Sequence, residues 1–288
     1  MFDQYIGIDW SGALSPIRSD KIAVATCART SSSHPIADDR SLSRTDVFNH
    51  ILDLATTDRR TLVGIDCNLG YCYAVGKHQF GSQADYLKLW EAVETACDNQ
   101  ANFFAGPFWQ VEENAGYFWT KGKQPSWFDL QTLRRKTEAC AAERGLGIPE
   151  SPFKLIGAKQ VGKGGLAGMR MALKLKQTLG EQITFWPFED VNAEKTKIVV
   201  TEIYPRLFIR YAGFGNAKIR DAEQLNTILQ HYQLNPFGRL MKLSDHLTDA
   251  IIASAGLRWF CQQRDMFTRE KLPADAVQFE GWIFGVEP

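Results

Sequence analysis

Apolar positions follow a short period near the N-terminus. Tyr5-Ile6-Gly7-Ile8-Asp9 is a brief apolar run ending in an acid. Lys21–Cys27 reads as a second strand and Thr61–Asp66 as another. Between them, Ser31–Arg44 is polar and serine-rich with a weak strand signal. Asp46–Ala55 then sets Val47, Ile51, Leu54 and Ala55 at helical spacing, with Thr45 as its N-cap. Strands followed by a helix and a further strand point to a mixed sheet with helices on its faces.

The middle of the chain breaks this pattern. Residues 70–150 hold Trp90, Trp109, Trp119 and Trp127. Tyr86–Cys97 has a helical period, and so does Leu130–Arg144, which Gly145 and Gly147 end. Asn102–Gln124 is aromatic and glycine-rich with no clear period. The segment 70–180 therefore reads as an insertion that packs on, or lids, an α/β core. The last third returns to α/β. Lys197–Ile203 is a strand stopped by Pro205, Asp221–Gln233 is a helix, and Ser244–Gln262 is the strongest helix, with Ser244 as N-cap. With no repeat and no clean linker, the chain reads as one domain: a core of 5–66 and 197–262, and an insertion at 70–180.

Composition narrows the class. The chain has 288 residues, 44% hydrophobic and 23% charged, too well mixed for disorder or a coiled coil. Lys+Arg and Asp+Glu are both 33, which excludes a basic protein that coats nucleic acid without specificity. One stretch departs from neutrality: Ser151–Gly180 carries Lys154, Lys159, Lys163, Arg170, Lys174 and Lys176 and no acid. Lys154, Lys159, Lys163 and Arg170 are the candidates for holding substrate phosphates, and exposed aromatics of 103–127 for stacking bases. The competing reading makes those cations solvated helix faces and those rings core.

No apolar run is long enough to span a membrane. Met1-Phe2-Asp3-Gln4 has an acid and no basic stretch, so no signal peptide is expected. The expectation is a cytoplasmic protein with six reduced cysteines. Without a C-x-x-C pair, and with five scattered histidines, a structural zinc site is not expected.

The acids carry the chemistry. Ile6-Gly7-Ile8-Asp9 and Val63-Gly64-Ile65-Asp66 share the form apolar-Gly-Ile-Asp, each with a carboxylate at the expected C-terminal strand end. Open α/β sheets bind ligands there. Ile198–Glu202 ends in an acid as well. Each glycine lies on the same strand face as the Asp two residues later, where a missing side chain leaves room for a metal, a water or a ligand backbone. Neighbouring carboxylates raise one another's pKa or demand a cation, and Mg²⁺ or Mn²⁺ takes oxygen ligands. The plain alternative is that each acid starts a turn. On the late helix, Asp245 and Asp249 share a face, with His246 three residues before Asp249. Asp245 sits in the first turn, where the helix dipole favours an anion. Asp249 lies beside the small residues Ala250, Ala253 and Gly256, which suggest close packing on the sheet, and ranks above Asp245. His246 is a candidate ligand or water-orienting group.

In order along the chain, IGIDWSG, VGIDCNLG, SPFKLIGAKQVGKGGLAGMR, FWPFED, TEIYPR and SDHLTDAIIASAG resemble a domain-of-unknown-function family predicted to have a ribonuclease H-like fold. The resemblance covers most of the chain except the polar segment near 28–45. It implies a ribonuclease H-like, mixed five-stranded sheet flanked by helices, with the aromatic-rich segment inserted. The wider superfamily is similar to RuvC-type resolvases and ribonuclease H. There a first-strand Asp matches Asp9, a fourth-strand acid matches Asp66, and an acid in an Asp-Ala context matches Asp249. Some RuvC-type members have a His where His246 stands. Glu202 finds its counterpart only in the TEIYP context of the first family.

The leading expectation is a nuclease or related phosphodiesterase dependent on Mg²⁺ or Mn²⁺ and acting on DNA or RNA. Asp9, Asp66 and Asp249 would hold the ions with His246, and Glu202 would join the catalytic set. A second is an actin/hexokinase-like phosphotransferase, for which Gly162-Lys163-Gly164-Gly165 is a weak phosphate-loop signal without the GxxxxGK[ST] pattern. A third is a catalytically inactive ribonuclease H-like binding module.

Overall fold

The computed structural model describes residues 1–12, 22–30, 32, 34–157, 160–215, 218–237 and 243–288. Lys21, Ser31 and Lys159, which figure in the readings above, lie outside them. Six strands form one mixed sheet: β1 (Gln4–Asp9), β2 (Ile22–Ala28), β3 (Ile36–Leu42), β4 (Thr61–Ile65), β5 (Ile183–Trp186) and β6 (Ile198–Glu202). Their spatial order is β3-β2-β1-β4-β6-β5. β2 runs antiparallel to both of its neighbours, β1 and β3, and β1, β4, β6 and β5 run parallel. The sheet is thus one strand wider than expected. Ile183–Trp186 is too short to show a period, yet all four of its residues are buried.

Nine α-helices accompany the strands among the described residues: α1 (Arg44–Ala55), α2 (Tyr73–Phe80), α3 (Tyr86–Cys97), α4 (Glu112–Ala115), α5 (Lys136–Glu143), α6 (Val161–Leu179), α7 (Pro205–Tyr211), α8 (Ala222–His231) and α9 (Asp245–Gln263). Strand alternation divides the core in two. Ile6, Ile8, Val63, Ile65, Ile198 and Val200 face α1, α3 and α6. Tyr5, Leu62 and Val199 face α7, α8 and α9. The segment 70–180 is therefore no detached lid, because α3 and α6 form much of one covering layer. Its aromatics are mostly core: Phe108, Trp109, Phe118 and Phe128 are buried, and Trp127 alone among its tryptophans is exposed.

Two helix starts differ from expectation for local reasons. Ser43, not Thr45, caps α1: Ser43 Oγ accepts from the Asp46 N–H at 3.1 Å, and Asp46 Oδ2 accepts from the Ser43 N–H at 2.8 Å. The helix expected over 130–144 begins only at Lys136. The Arg135 N–H is held by Glu138 Oε2 at 2.6 Å, which caps the helix and stops it extending backwards. Ser244 caps α9 as expected, accepting from the Leu247 N–H at 3.1 Å.

α6 was hidden by its composition. Gly162, Gly164, Gly165 and Gly168 are poor helix formers, and packing requires them. A Cβ on Gly165 would stand 2.2 Å from Asn68 Oδ1, and one on Gly168 2.6 Å from Cys67 Sγ. The helix can lie flush on the loop after β4 only because those side chains are missing. The GKGG segment is thus the first turn of α6. All six cysteines are free. No helix among the described residues is long and apolar enough to cross a membrane.

Candidate active site

Parallel pairing of β1 with β4 sets two acids side by side. Ile8 pairs with Ile65, and the N–H of Asp66 donates to the Ile8 carbonyl at 2.9 Å. Asp9 follows the alternation of Tyr5 and Gly7, so its carboxylate turns toward the α9 face; Asp66, in the turn just past β4, is coupled by charge to Asp9 and Asp249 and lies with them.

α9 reaches that face because Gly7 has no side chain. A Cβ there would stand 2.4 Å from the Ala250 carbonyl oxygen, 2.6 Å from the Ser254 nitrogen and 2.9 Å from Ala253 Cβ. The room that the glycine leaves is filled by the helix backbone, not by a ligand. Gly64 plays the same part toward the side chains of Ile203 and Leu257. The small-residue stripe of α9 rests on β1 and brings Asp249 and His246 to the strand ends. His246 Nδ1 lies 3.2 Å from Asp9 Oδ1.

The electrostatics match this convergence. Burial raises the Asp9 carboxyl above its ordinary range, against the lowering pull of the His246 hydrogen bond and charge. Burial lifts Asp66 well above the carboxylate range, with further contributions from Asp9, then Asp249, then Glu202. Asp249 is pushed up to about 7, by burial first and by Asp9 next. Three acids that resist ionising together form a site that gains from positive charge. Their hard oxygen donors suit Mg²⁺ or Mn²⁺. Among the described residues, however, no three such groups already sit close enough to cage an ion.

Glu202 is a different case. It shares the face of Ile198 and Val200, opposite to Asp9 and Asp66, and Arg135 holds it at 2.7 and 2.5 Å. The same guanidinium bonds Glu138 at 2.7 Å and the Glu280 carbonyl at 2.8 Å. Glu202 therefore serves a buried ion pair. Glu202 does end its strand, but its side chain goes to Arg135 and does not join Asp9, Asp66 and Asp249. Alternation from Ile198 carries that signal.

The basic candidates separate similarly. Arg170 is buried, bonded to Glu94 at 2.6 Å and to the carbonyls of Gln100 and Phe104 at 3.2 and 2.6 Å, so it braces α6 against α3 from inside the fold. Lys154 pairs with Glu150 at 3.1 Å and lies 5.6 Å from the Trp119 ring centre. Lys163 stands in the first turn of α6. The loop after Asp9 packs on its helix, with Trp10 Nε1 donating to the Gly164 carbonyl at 2.9 Å. A Cβ on Gly12 would stand 2.5 Å from the Lys163 carbonyl carbon. Lys163 is half-buried, 5.9 Å from the Trp109 ring centre, and burial lowers its pKa. Asp245 is drawn outward to Lys218 at 2.6 Å, in keeping with its lower rank.

Two groups at the site were missed as chemistry. Tyr204 and Arg206 interact electrostatically with Asp66 and Asp249, respectively. Both stand in the TEIYPR segment, where nothing but the neighbouring strand end marks them. No family model, curated protein or solved structure matches the chain. The functional reading therefore rests on these residues.

Proposed function

We propose that the chain is a divalent-metal-dependent phosphodiesterase of ribonuclease H-like fold, acting on nucleic acid. One observation carries the reading: carboxylates from β1, from the turn after β4 and from α9 converge on one sheet face at the C-terminal strand ends. An antiparallel β1–β2–β3 meander continued by parallel strands, with helices on both faces, supports the fold assignment. Asp9, Asp66 and Asp249 would hold Mg²⁺ or Mn²⁺, drawn inward from their present spacing. Such an ion supplies Lewis acidity and an activated water for phosphodiester cleavage. His246 orients the Asp9 carboxylate through its Nδ1 contact. Lys163 adds positive charge on the α6 side.

The lack of a closed cage among the described residues favours the second reading, a binding module of the same fold without catalysis. Cleavage of single-stranded, duplex and branched DNA and RNA with Mg²⁺ or Mn²⁺ separates the two. The proposal expects cleavage by the wild type that Asp9→Asn abolishes. No cleavage of any substrate, or equal cleavage by both proteins, overturns it.

A further inference from the structure

We propose that Arg206, in the first turn of α7, is the side chain that grips the substrate's phosphodiester anion beside Asp249. This deepens the proposed function and rests on it.

Backbone geometry sets Arg206 at the site. The Ile203 N–H donates to the Ile65 carbonyl at 3.0 Å, so pairing with β4 continues to the residue before Asp66. The chain leaves the sheet at that level, and Pro205 opens α7 at once. Pro205, Leu207, Phe208 and Ile209 are buried while Arg206 is only half-buried, so it is the polar position of an otherwise packed turn.

Packing holds the start of α7 in place. A Cβ on Gly256 would stand 2.3 Å from Phe208 Cδ1, and the Phe208 and Tyr211 rings lie 5.7 and 4.9 Å from that of Phe260. Ile203, just before α7, and Leu257 of α9 both lie over Gly64 of β4. The first turn of α7 is therefore held between the end of β4, which Asp66 follows, and α9, which carries Asp249. In agreement, Arg206 is the largest of the charges that favour the ionised form of Asp249.

The chemistry needs such a group. A cation among three carboxylates can leave the site anionic, and a phosphodiester brings another negative charge. The planar guanidinium suits paired phosphate oxygens, and an ammonium matches only the charge.

The test uses the whole chain as wild type, Arg206→Gln and Arg206→Lys. Affinity for a short single-stranded oligodeoxynucleotide is measured over a salt series, with Ca²⁺ in place of the catalytic ion. The Mn²⁺-induced melting shift is measured in parallel. Arg206→Gln should weaken binding by about tenfold and flatten the salt dependence by about 0.7 in log–log slope, the share of one phosphate on a single strand. Arg206→Lys should keep the slope at reduced affinity. Both should keep the Mn²⁺ shift. Wild-type affinity and slope in Arg206→Gln, with the Mn²⁺ shift intact, overturn the role of Arg206 and leave the metal reading standing. A wild type that shifts with Mn²⁺ but binds no oligonucleotide also overturns it. No Mn²⁺ shift in the wild type overturns the metal reading instead.

Discussion

Arg135 and Glu202 meet through two hydrogen bonds, Nη1 to Oε2 at 2.7 Å and Nη2 to Oε1 at 2.5 Å, with both side chains buried. The pair joins the chain just before α5 to the end of β6, and Arg135 also reaches the Glu280 carbonyl. Four of the guanidinium's bonds therefore tie three distant segments behind the sheet face that carries Asp9 and Asp66.

A structural Glu202 makes a prediction that a catalytic one does not. Glu202→Gln leaves Arg135 paired with Glu138, so denaturant unfolding should show a loss of about 1–2 kcal/mol. The Mn²⁺-induced melting shift should be unchanged. Arg135→Met strands two buried carboxylates and should cost about 3–5 kcal/mol or prevent folding. Loss of the Mn²⁺ response in a folded Glu202→Gln protein would return Glu202 to the metal site.

The contact of Gly7 with α9 sets the second prediction. Gly7→Ala puts a methyl carbon against helix backbone that has no flexible end to move aside. Chemical denaturation should show a loss of about 1–3 kcal/mol, the usual range for overpacking. The Mn²⁺ response should weaken too, because Asp249 rides on the displaced helix. Gly116→Ala is the control: nothing lies within 4 Å of its Cβ position, and its φ of −69° suits any residue.

These two cases show what the sequence could carry. The paired apolar-Gly-Ile-Asp runs were legible because strand period and residue type fall in one short window. Their side-chain direction followed from the alternation of Ile6 and Ile8. Ser244 as cap and Asp249 beside its small-residue stripe were local too. Arg135 was not legible, because its partner Glu202 stands 67 residues away and only the folded chain joins them. α6 was obscured by glycines whose purpose, contact with Cys67 and Asn68, belongs to tertiary structure. Arg170 looked like a phosphate ligand because charge along a segment does not reveal which face is inside.

Burial of Asp249, and after it the charge of Asp9, predicts an unusual pH dependence. The folded-state pKa of Asp249 is raised to about 7, so between pH 4 and 7 the folded chain binds more protons than the unfolded one. Stability from this group is therefore largest at low pH and falls as pH rises toward 7. Glu138, lifted to about 7 by burial, acts in the same direction, while His50, lowered by burial, opposes it on acidification. Comparing wild type with Asp249→Asn cancels both. Without metal, Asp249→Asn should gain on the wild type by about 1–3 kcal/mol between pH 5 and 8. Parallel stability curves would contradict the raised Asp249.

The convergence of Asp9, Asp66 and Asp249 into a cation site is tested most directly by thermal melts of wild type and Asp9→Asn, with and without millimolar Mn²⁺. Removing one of three repelling charges should leave the metal-free melting temperature of Asp9→Asn equal to or above that of the wild type. An ion at about a hundred times its dissociation constant stabilises by about 2.7 kcal/mol. That corresponds to a rise of about 4–5 °C in a chain of this size. The account predicts this rise for the wild type and none for Asp9→Asn. A wild-type melt that Mn²⁺ does not move, or an equal shift in both proteins, would contradict it.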